Sequence, residues 1–529
     1  MNSDCALRSS ILRGSFFAGR SFTPWMLGIA FLAALPLVPR IQAQAAEFGQ
    51  WQILAKKLPL NPIHTALMHN GKVLMIEGRP TSPTPFAGVW DPATQTTTEF
   101  AAPYTMFCNG MVVLPDGRPL IVGGTTQFPP PAFTGISHAA IFDPATNKFT
   151  MQPDMADGRW YPSAAVLPDG TVMVFSGTDQ NGKSNNTVEI FSITANSNTG
   201  TWTKPAKANW VPPLYPRLHV LPDGQIFASG LQTQSKFYSV AANVWTNCCT
   251  TNYANNRGYG TSVLLPLSPS NNYKPEVFIL GGGRADDVTP STNTTELIDL
   301  SQPSPKWVFG PNMSEARIDL NGTILPSGDI LVTGGSVVSE IASTASFNAD
   351  LYHTDPSDKN FGKFTSAGAN SLPRMYHSNA ILLPDATVIL TGSNPDTLVY
   401  ENRIELYQPA YLFNADGSLA TRPTITSVEG GAAGKFLYAN TFTVKTPDAA
   451  GISRVVLVRP SAPTHAFDMD QRLVRLTFKA NTAAGTLTVN TPPNGNIAPP
   501  GYYEVFILNA AGVPSVAQFI QLCPSTGCL

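Results

Sequence analysis

One pattern recurs along this chain and constrains its fold more than any other feature. It is an apolar strand, a Pro-Asp-Gly-like turn, a second apolar strand and a closing glycine. The copies read HTALMHNGKVLMIEG, CNGMVVLPDGRPLIVGG, YPSAAVLPDGTVMVFSG, PRLHVLPDGQIFASG, GTSVLLPLSPSNNYKPEVFILGG, IDLNGTILPSGDILVTGG and YHSNAILLPDATVILTG. Their closing glycines are Gly78, Gly124, Gly177, Gly230, Gly282, Gly335 and Gly392, with successive spacings of 46, 53, 53, 52, 53 and 57 residues.

A period of about 50 residues with glycines after a hairpin strand marks kelch-type blades. Seven copies predict an all-β, seven-bladed propeller, each blade a four-stranded sheet around a central channel. Weaker outer strands fit between the hairpins, as in HAAIFDPATNKFTMQPDM after Gly124. Residues 49–58 precede the first hairpin and are placed to complete the last blade, because closing the ring through the chain ends removes an exposed edge. We assign the propeller to residues 46–415. Residues 420–529 carry a different pattern, with alternating strands such as FLYANTFTVKT, ISRVVLVRP and GYYEVFILN, and read as an immunoglobulin-like β-sandwich.

Charged residues make up 13% of the chain and the formal net charge is −2. No basic stripe is present, so no nucleic-acid partner is expected. Arg8, Arg13 and Arg20 precede an apolar run at 25–38, followed by Ala43-Gln44-Ala45. That is the layout of an export signal over residues 1–45, with secretion to the extracellular space as the expectation. The run is short for a membrane span, and an uncleaved anchor holding the protein at the cell surface or in the periplasm is the alternative.

Of six cysteines, Cys5 lies in the leader, and Cys523 and Cys528 are spaced to close a small disulfide loop. Cys248 and Cys249 are adjacent and either pair with each other or stay unpaired. Cys108 is left alone, and an odd cysteine in an exported chain calls for an explanation.

The repeat register points to one place. Counting back 16 residues from the closing glycine gives 124−16 = 108, 177−16 = 161 and 392−16 = 376 in blades two, three and seven. Cys108, Tyr161 and Tyr376 therefore fall on one ring at one face of the propeller, with His377 next to it. The other blades place Pro62, Leu214, Tyr259 and Asp319 there. Tyrosines at strand starts also plug channel mouths, so the register alone leaves a structural role open.

The local sequences carry a stronger signal. MFCNG around Cys108, GRWYPS around Tyr161, PRMYHSNAILLPD around Tyr376 and His377, and APTHAFDMDQR around His465 resemble the copper-ligand motifs of the galactose oxidase/glyoxal oxidase family, in the family's order. The resemblance covers nearly all of the chain after the leader. It implies a secreted mononuclear copper-radical oxidase. Tyr161, His377 and His465 would be equatorial copper ligands and Tyr376 the axial one. A Cys108–Tyr161 thioether would form the protein-derived radical cofactor, which would account for the odd cysteine. The implied partners are dioxygen and a small aldehyde or primary alcohol, carbohydrates included, with hydrogen peroxide as product. Two imidazoles and oxygen ligands suit Cu(II).

The chain also departs from galactose oxidase. It has no sugar-binding domain between leader and propeller, and the loop after the blade-three glycine has no tryptophan. Trp160 instead precedes Tyr161, as in glyoxal oxidase-like members, where it would shield the radical or simply pack. Arg257 and Asp319 are further candidates for substrate or ligand contact, with a salt bridge and a turn as their ordinary roles. His64, His69, His138, His219 and His353 match no copper motif and read as structural or surface residues. Asn185, Asn293, Asn312 and Asn321 form Asn-x-Ser/Thr sequons. The rival readings are a non-catalytic propeller binding glycan or protein through its loops, and an enzyme of this fold with another metal or no radical.

Overall fold

The Pro-Asp-Gly turns set up the inner hairpin of each blade. Gly117, Gly170 and Gly224 hold φ of +85°, +90° and +85°, a left-handed geometry that glycine adopts without a Cβ clash. In the computed structural model, which describes residues 44–78, 85–127, 133–194, 197–283 and 291–524, these turns join antiparallel strands. Ser163–Val166 and Val172–Phe175 pair from Ser163↔Phe175 to Val166↔Val172. Both strands are buried throughout, while the outermost strand of that blade, Thr201–Lys207, is largely exposed.

Among the described residues seven four-stranded sheets repeat this arrangement, and the C-terminal region adds sheets of four and five strands and the two-stranded ribbon of Pro463–Thr464 with Phe467–Asp468. Gln50–Lys57 pairs antiparallel with Arg403–Gln408, from Gln50↔Gln408 to Lys57↔Arg403, and completes the seventh blade. The C-terminal sheets face each other as a sandwich. Ser427–Glu429, Thr441–Lys445, Thr486–Asn490 and Phe478–Asn481 form one; Lys435–Leu437, Gln518–Cys523, Gly501–Asn509, Ile452–Arg459 and Arg472–Leu476 form the other. One apolar cluster joins Phe442, Val444 and Leu487 of the sandwich to Phe227, Val277 and Ile279 of blades four and five.

A finger leaves the sandwich between Ile452–Arg459 and Arg472–Leu476 and enters the propeller channel. Its polar side chains bond the inner strands. Arg459 Nη2 donates to the Val113 carbonyl at 2.9 Å, and Asp470 accepts from the Val113 N–H. Gln471 accepts from the Ile324 N–H at 3.0 Å and donates to the Gly322 carbonyl at 2.7 Å. Backbone groups at the channel wall are thereby satisfied, as burial requires.

Among the described residues four blades share a buried ion pair, of which the sequence suggested only a salt bridge for Arg257. Arg159–Glu189, Arg257–Glu296, Arg317–Asp350 and Arg374–Glu405 lie at 2.8, 3.0, 2.9 and 3.1 Å, all buried. Each arginine precedes an inner strand, and each acid sits on the third strand of the same blade.

Cys248 and Cys249 form a vicinal disulfide. The Cys523–Cys528 pairing and nearly all of the leader lie outside the described residues. Among the described residues no helix is long and apolar enough to cross a membrane.

Candidate metal centre

The chain enters most inner strands through one residue in the left-handed region. Cys108, Tyr161, Tyr215, Tyr259, Asp319 and His377 have φ of +58°, +66°, +47°, +51°, +58° and +67°. In blades two to five and seven this residue lies two places before the inner strand. For non-glycine residues such backbone costs of order 1–3 kcal/mol each and clusters at functional sites.

This ring corrects the one counted from the closing glycines. In blade seven it falls on His377 rather than Tyr376, and in blade four on Tyr215 rather than Leu214. Gly230 and Gly392 directly follow their strands, Ile226–Ser229 and Val388–Thr391, whereas Gly177 follows Phe175 only after Ser176. The glycines in blades four and seven therefore stand one place early, and counting from them slips by one. Blade seven also has one residue more between Arg374 and the ring position than blade three has after Arg159. Tyr376 and His377 thus both reach the centre, their rings stacked at 3.8 Å.

His465 arrives from the finger. Pro463–Thr464 pairs with Phe467–Asp468, with Thr464↔Phe467 closing a two-residue loop. His465 and Ala466 fill it at φ +46° and +64°, the sign that a type I′ hairpin demands at both positions. Arg217 Nη2 donates to the His465 carbonyl at 3.2 Å.

Three parts of the chain therefore converge. Sγ of Cys108 and ring nitrogens of His377 and His465 lie within 4.8 Å of one another, all buried. Tyr161 Oη contacts Tyr376 Oη. The Tyr161 and His465 rings are 4.6 Å apart, as are those of His377 and His465. Asn394 is a side-chain hydrogen-bonding neighbour of His377, and among the described residues neither ring nitrogen makes a well-aligned bond. Tyr215, which sequence reading passed over, packs 4.5 Å from the Tyr161 ring and 4.6 Å from that of His465. Counting nine residues back from the Pro-Asp-Gly turn glycine would have found it: 224−9 = 215, as 117−9 = 108 and 170−9 = 161.

Burial sets the charge states. It holds His377 down to about 3 and His465 well below the usual imidazole value, with His377, His64 and Arg217 adding repulsion at His465. It pushes the Tyr161 and Tyr376 phenols and the Cys108 thiol well above their ordinary values. The site thus offers two neutral imidazoles and two phenols that give up protons when a metal binds. The thiol, kept protonated, is a poor ligand.

The other candidates take different places. Trp160 stacks on Phe133 at 4.0 Å and tilts over Tyr161 at 4.1 Å. Asp319 is buried on the ring, accepts from Ser339 Oγ at 2.8 Å, and is pushed up to about 7 by burial. Arg257 does not reach the pocket as a substrate contact. Its guanidinium is spent on Glu296, Thr294 and the Gly281 carbonyl, while its neighbours Asn256 and Gly258 line the pocket instead. His64 is no surface residue: it is buried, its ring 5.7 Å from that of His465.

Beside the cluster opens a cavity of about 310 Å³, walled by Tyr161, Tyr215, Tyr259 and His465 with Pro213, Leu214, Leu231, Arg217 and Gln232.

Residues 89–411 match the family model for the glyoxal oxidase N-terminus, and residues 422–522 that for the galactose oxidase-like early set domain. The chain belongs to the glyoxal oxidase family of copper-radical oxidases. Aldehyde oxidase GLOX of Vitis pseudoreticulata is 30% identical over 79% of this chain and 82% of its own length. Galactose oxidase of Gibberella zeae is 27% identical over 82% of this chain, which spans 63% of that longer protein. A fungal alcohol oxidase solved in complex with copper shares the fold, with a TM-score of 0.78 and 24% identity over 90% of this chain and 100% of its own.

Proposed function

We propose that the chain oxidises a small aldehyde or primary alcohol with dioxygen and releases hydrogen peroxide, exported by its 1–45 leader. The observation that carries this reading is the convergence of Cys108, His377 and His465 with the touching Tyr161 and Tyr376 hydroxyls. The donor set, two neutral imidazoles and two phenols, fits Cu(II). Tyr161, Tyr376, His377 and His465 would hold the metal, which would supply a one-electron acceptor, and the oxidised Cys108–Tyr161 unit would supply the second.

The remaining work belongs to side chains. The cavity seats the substrate against Tyr161 and His465. Tyr376 Oη, having lost its own proton on metal binding, takes the substrate hydroxyl proton. Tyr161, beside it, takes the hydrogen from the substrate carbon. Two electrons and two protons thus pass to dioxygen, giving hydrogen peroxide and the aldehyde, or the acid from an aldehyde hydrate. Trp160 covers Tyr161 and keeps solvent from it.

The cavity's small volume and aromatic wall suit compact substrates, while Arg217, Gln232 and Asn256 on the same wall offer polar partners to substrate oxygens. The test is a peroxide assay of copper-loaded protein on panels of aldehydes, primary alcohols and sugars. Peroxide with any panel member supports the oxidase. A protein that forms no peroxide with any of them, yet binds glycans, would be the non-catalytic propeller.

A further inference from the structure

The finger that delivers His465 also determines which of its nitrogens is free. Nε2 faces the cluster, 3.6 Å from Cys108 Sγ. Nδ1 lies 2.6 Å from Thr464 Oγ1. The same hydroxyl oxygen is 2.8 Å from the Ile63 carbonyl. A hydroxyl carries one proton. The Ile63 carbonyl can only accept, so Thr464 spends its proton there. Nδ1 must then be the donor, giving its hydrogen to Thr464 Oγ1, and Nε2 keeps a lone pair aimed into the cluster. The opposite tautomer would take the proton from the Ile63 contact and point an N–H at the metal position.

The acceptor in this chain is supplied by the fold. Ile63 is the bulged residue of the first hairpin: Pro62 pairs with Glu77 and His64 with Ile76, so Ile63 has no cross-strand partner. A bulge re-aims backbone in this way beside functional sites. The nearby Tyr215 hydroxyl donates to the Asn109 carbonyl at 2.7 Å, so its one proton is spent there and is not offered to Thr464. Thr464 and His465 are both buried, with no water-facing alternative.

We propose that Thr464 is a positioning residue of the metal centre, holding His465 in the Nδ1–H tautomer so that Nε2 ligates. This rests on the copper reading of the site. Loss of such a partner typically costs about 10- to 100-fold in metal affinity.

The test measures copper affinity of the full-length, metal-stripped protein by competition with a chelator. T464V keeps the side-chain shape and removes the hydroxyl; its affinity should fall about 10- to 100-fold, with altered nitrogen couplings in the Cu(II) electron paramagnetic resonance spectrum. T464S should restore both. Wild-type affinity in T464V, or an equal loss in T464S, overturns the inference while leaving the oxidase reading intact. A wild-type protein that takes up no copper overturns the reading of the site itself. Independently of any Thr464 variant, histidine-selective ¹⁵N spectra of the metal-free protein should show His465, assigned by its loss in H465Q, as the Nδ1–H form. The Nε2–H form overturns the inference.

Discussion

The backbone N–H of Tyr161 donates to the carbonyl of Cys108 at 2.9 Å, so neighbouring blades present a thiol and a phenol as adjacent members of one ring. Cys108→Ser keeps that backbone contact and removes only the sulfur. The variant should still fold and should lose peroxide formation with every substrate. Parental turnover in the purified variant would remove the sulfur from the chemistry.

Trp160 lies between Phe133 and Tyr161. Aromatic pairs of this kind contribute about 0.5–1.5 kcal/mol. Trp160→Ala should leave copper content unchanged and shorten the lifetime of the oxidised protein up to about tenfold, followed by decay of its visible absorbance. An unchanged lifetime would make Trp160 a packing residue only.

Asp319 shows how burial at the ring couples to pH. Its carboxyl rises from 3.8 to about 7, chiefly through desolvation. A folded-state value above the unfolded one means the native state binds the proton more tightly. That contribution is fully present below about pH 4 and is lost as pH rises through about 7. The displacement corresponds to about 4 kcal/mol at most. Asp319→Asn should therefore melt above the wild type at pH 8, and the difference should narrow towards pH 5. A pH-independent difference would contradict a protonated Asp319.

The blade arginines make a separate prediction about stability. Arg374 is buried against Glu405 at 3.1 Å and also donates to the carbonyls of Gly392 and Arg403. Arg374→Met leaves that carboxylate uncompensated and should destabilise the protein by about 3–5 kcal/mol. The double variant Arg374→Met/Glu405→Gln should recover part of the loss. Chemical denaturation of the single and double variants checks both.

Much of this was legible because the repeat is regular. The hairpin period predicts seven blades, and the structure closes them through Gln50–Lys57. Counting from glycines also places Cys108 and Tyr161 on one ring, because both blades end in the same two-residue step after the strand. The method slips at Tyr215 and His377, where the glycine directly follows the strand. Pairing register, which fixes the ring, depends on strand ends that a glycine only approximates. His465 could be found only by its motif, since nothing in its own strand spacing shows that a sandwich turn reaches the channel. Thr464 and the Ile63 bulge were hidden for a different reason. Their roles arise from contacts between residues some 400 apart in sequence. The arginine–acid pairs join a residue before the first strand of a blade to one on its third, some 30 to 40 residues on, and so share no local pattern.

The central claim is that Cys108 and Tyr161 become one redox-active unit. Peptide mass spectrometry of copper-loaded, aerobically incubated protein tests it most directly and needs no substrate. The account predicts a cross-linked species joining the Cys108 peptide to the Tyr161 peptide, lighter than their sum by two hydrogens, and no alkylation of Cys108. Unlinked peptides, with Cys108 open to alkylation in the unfolded protein, would contradict it.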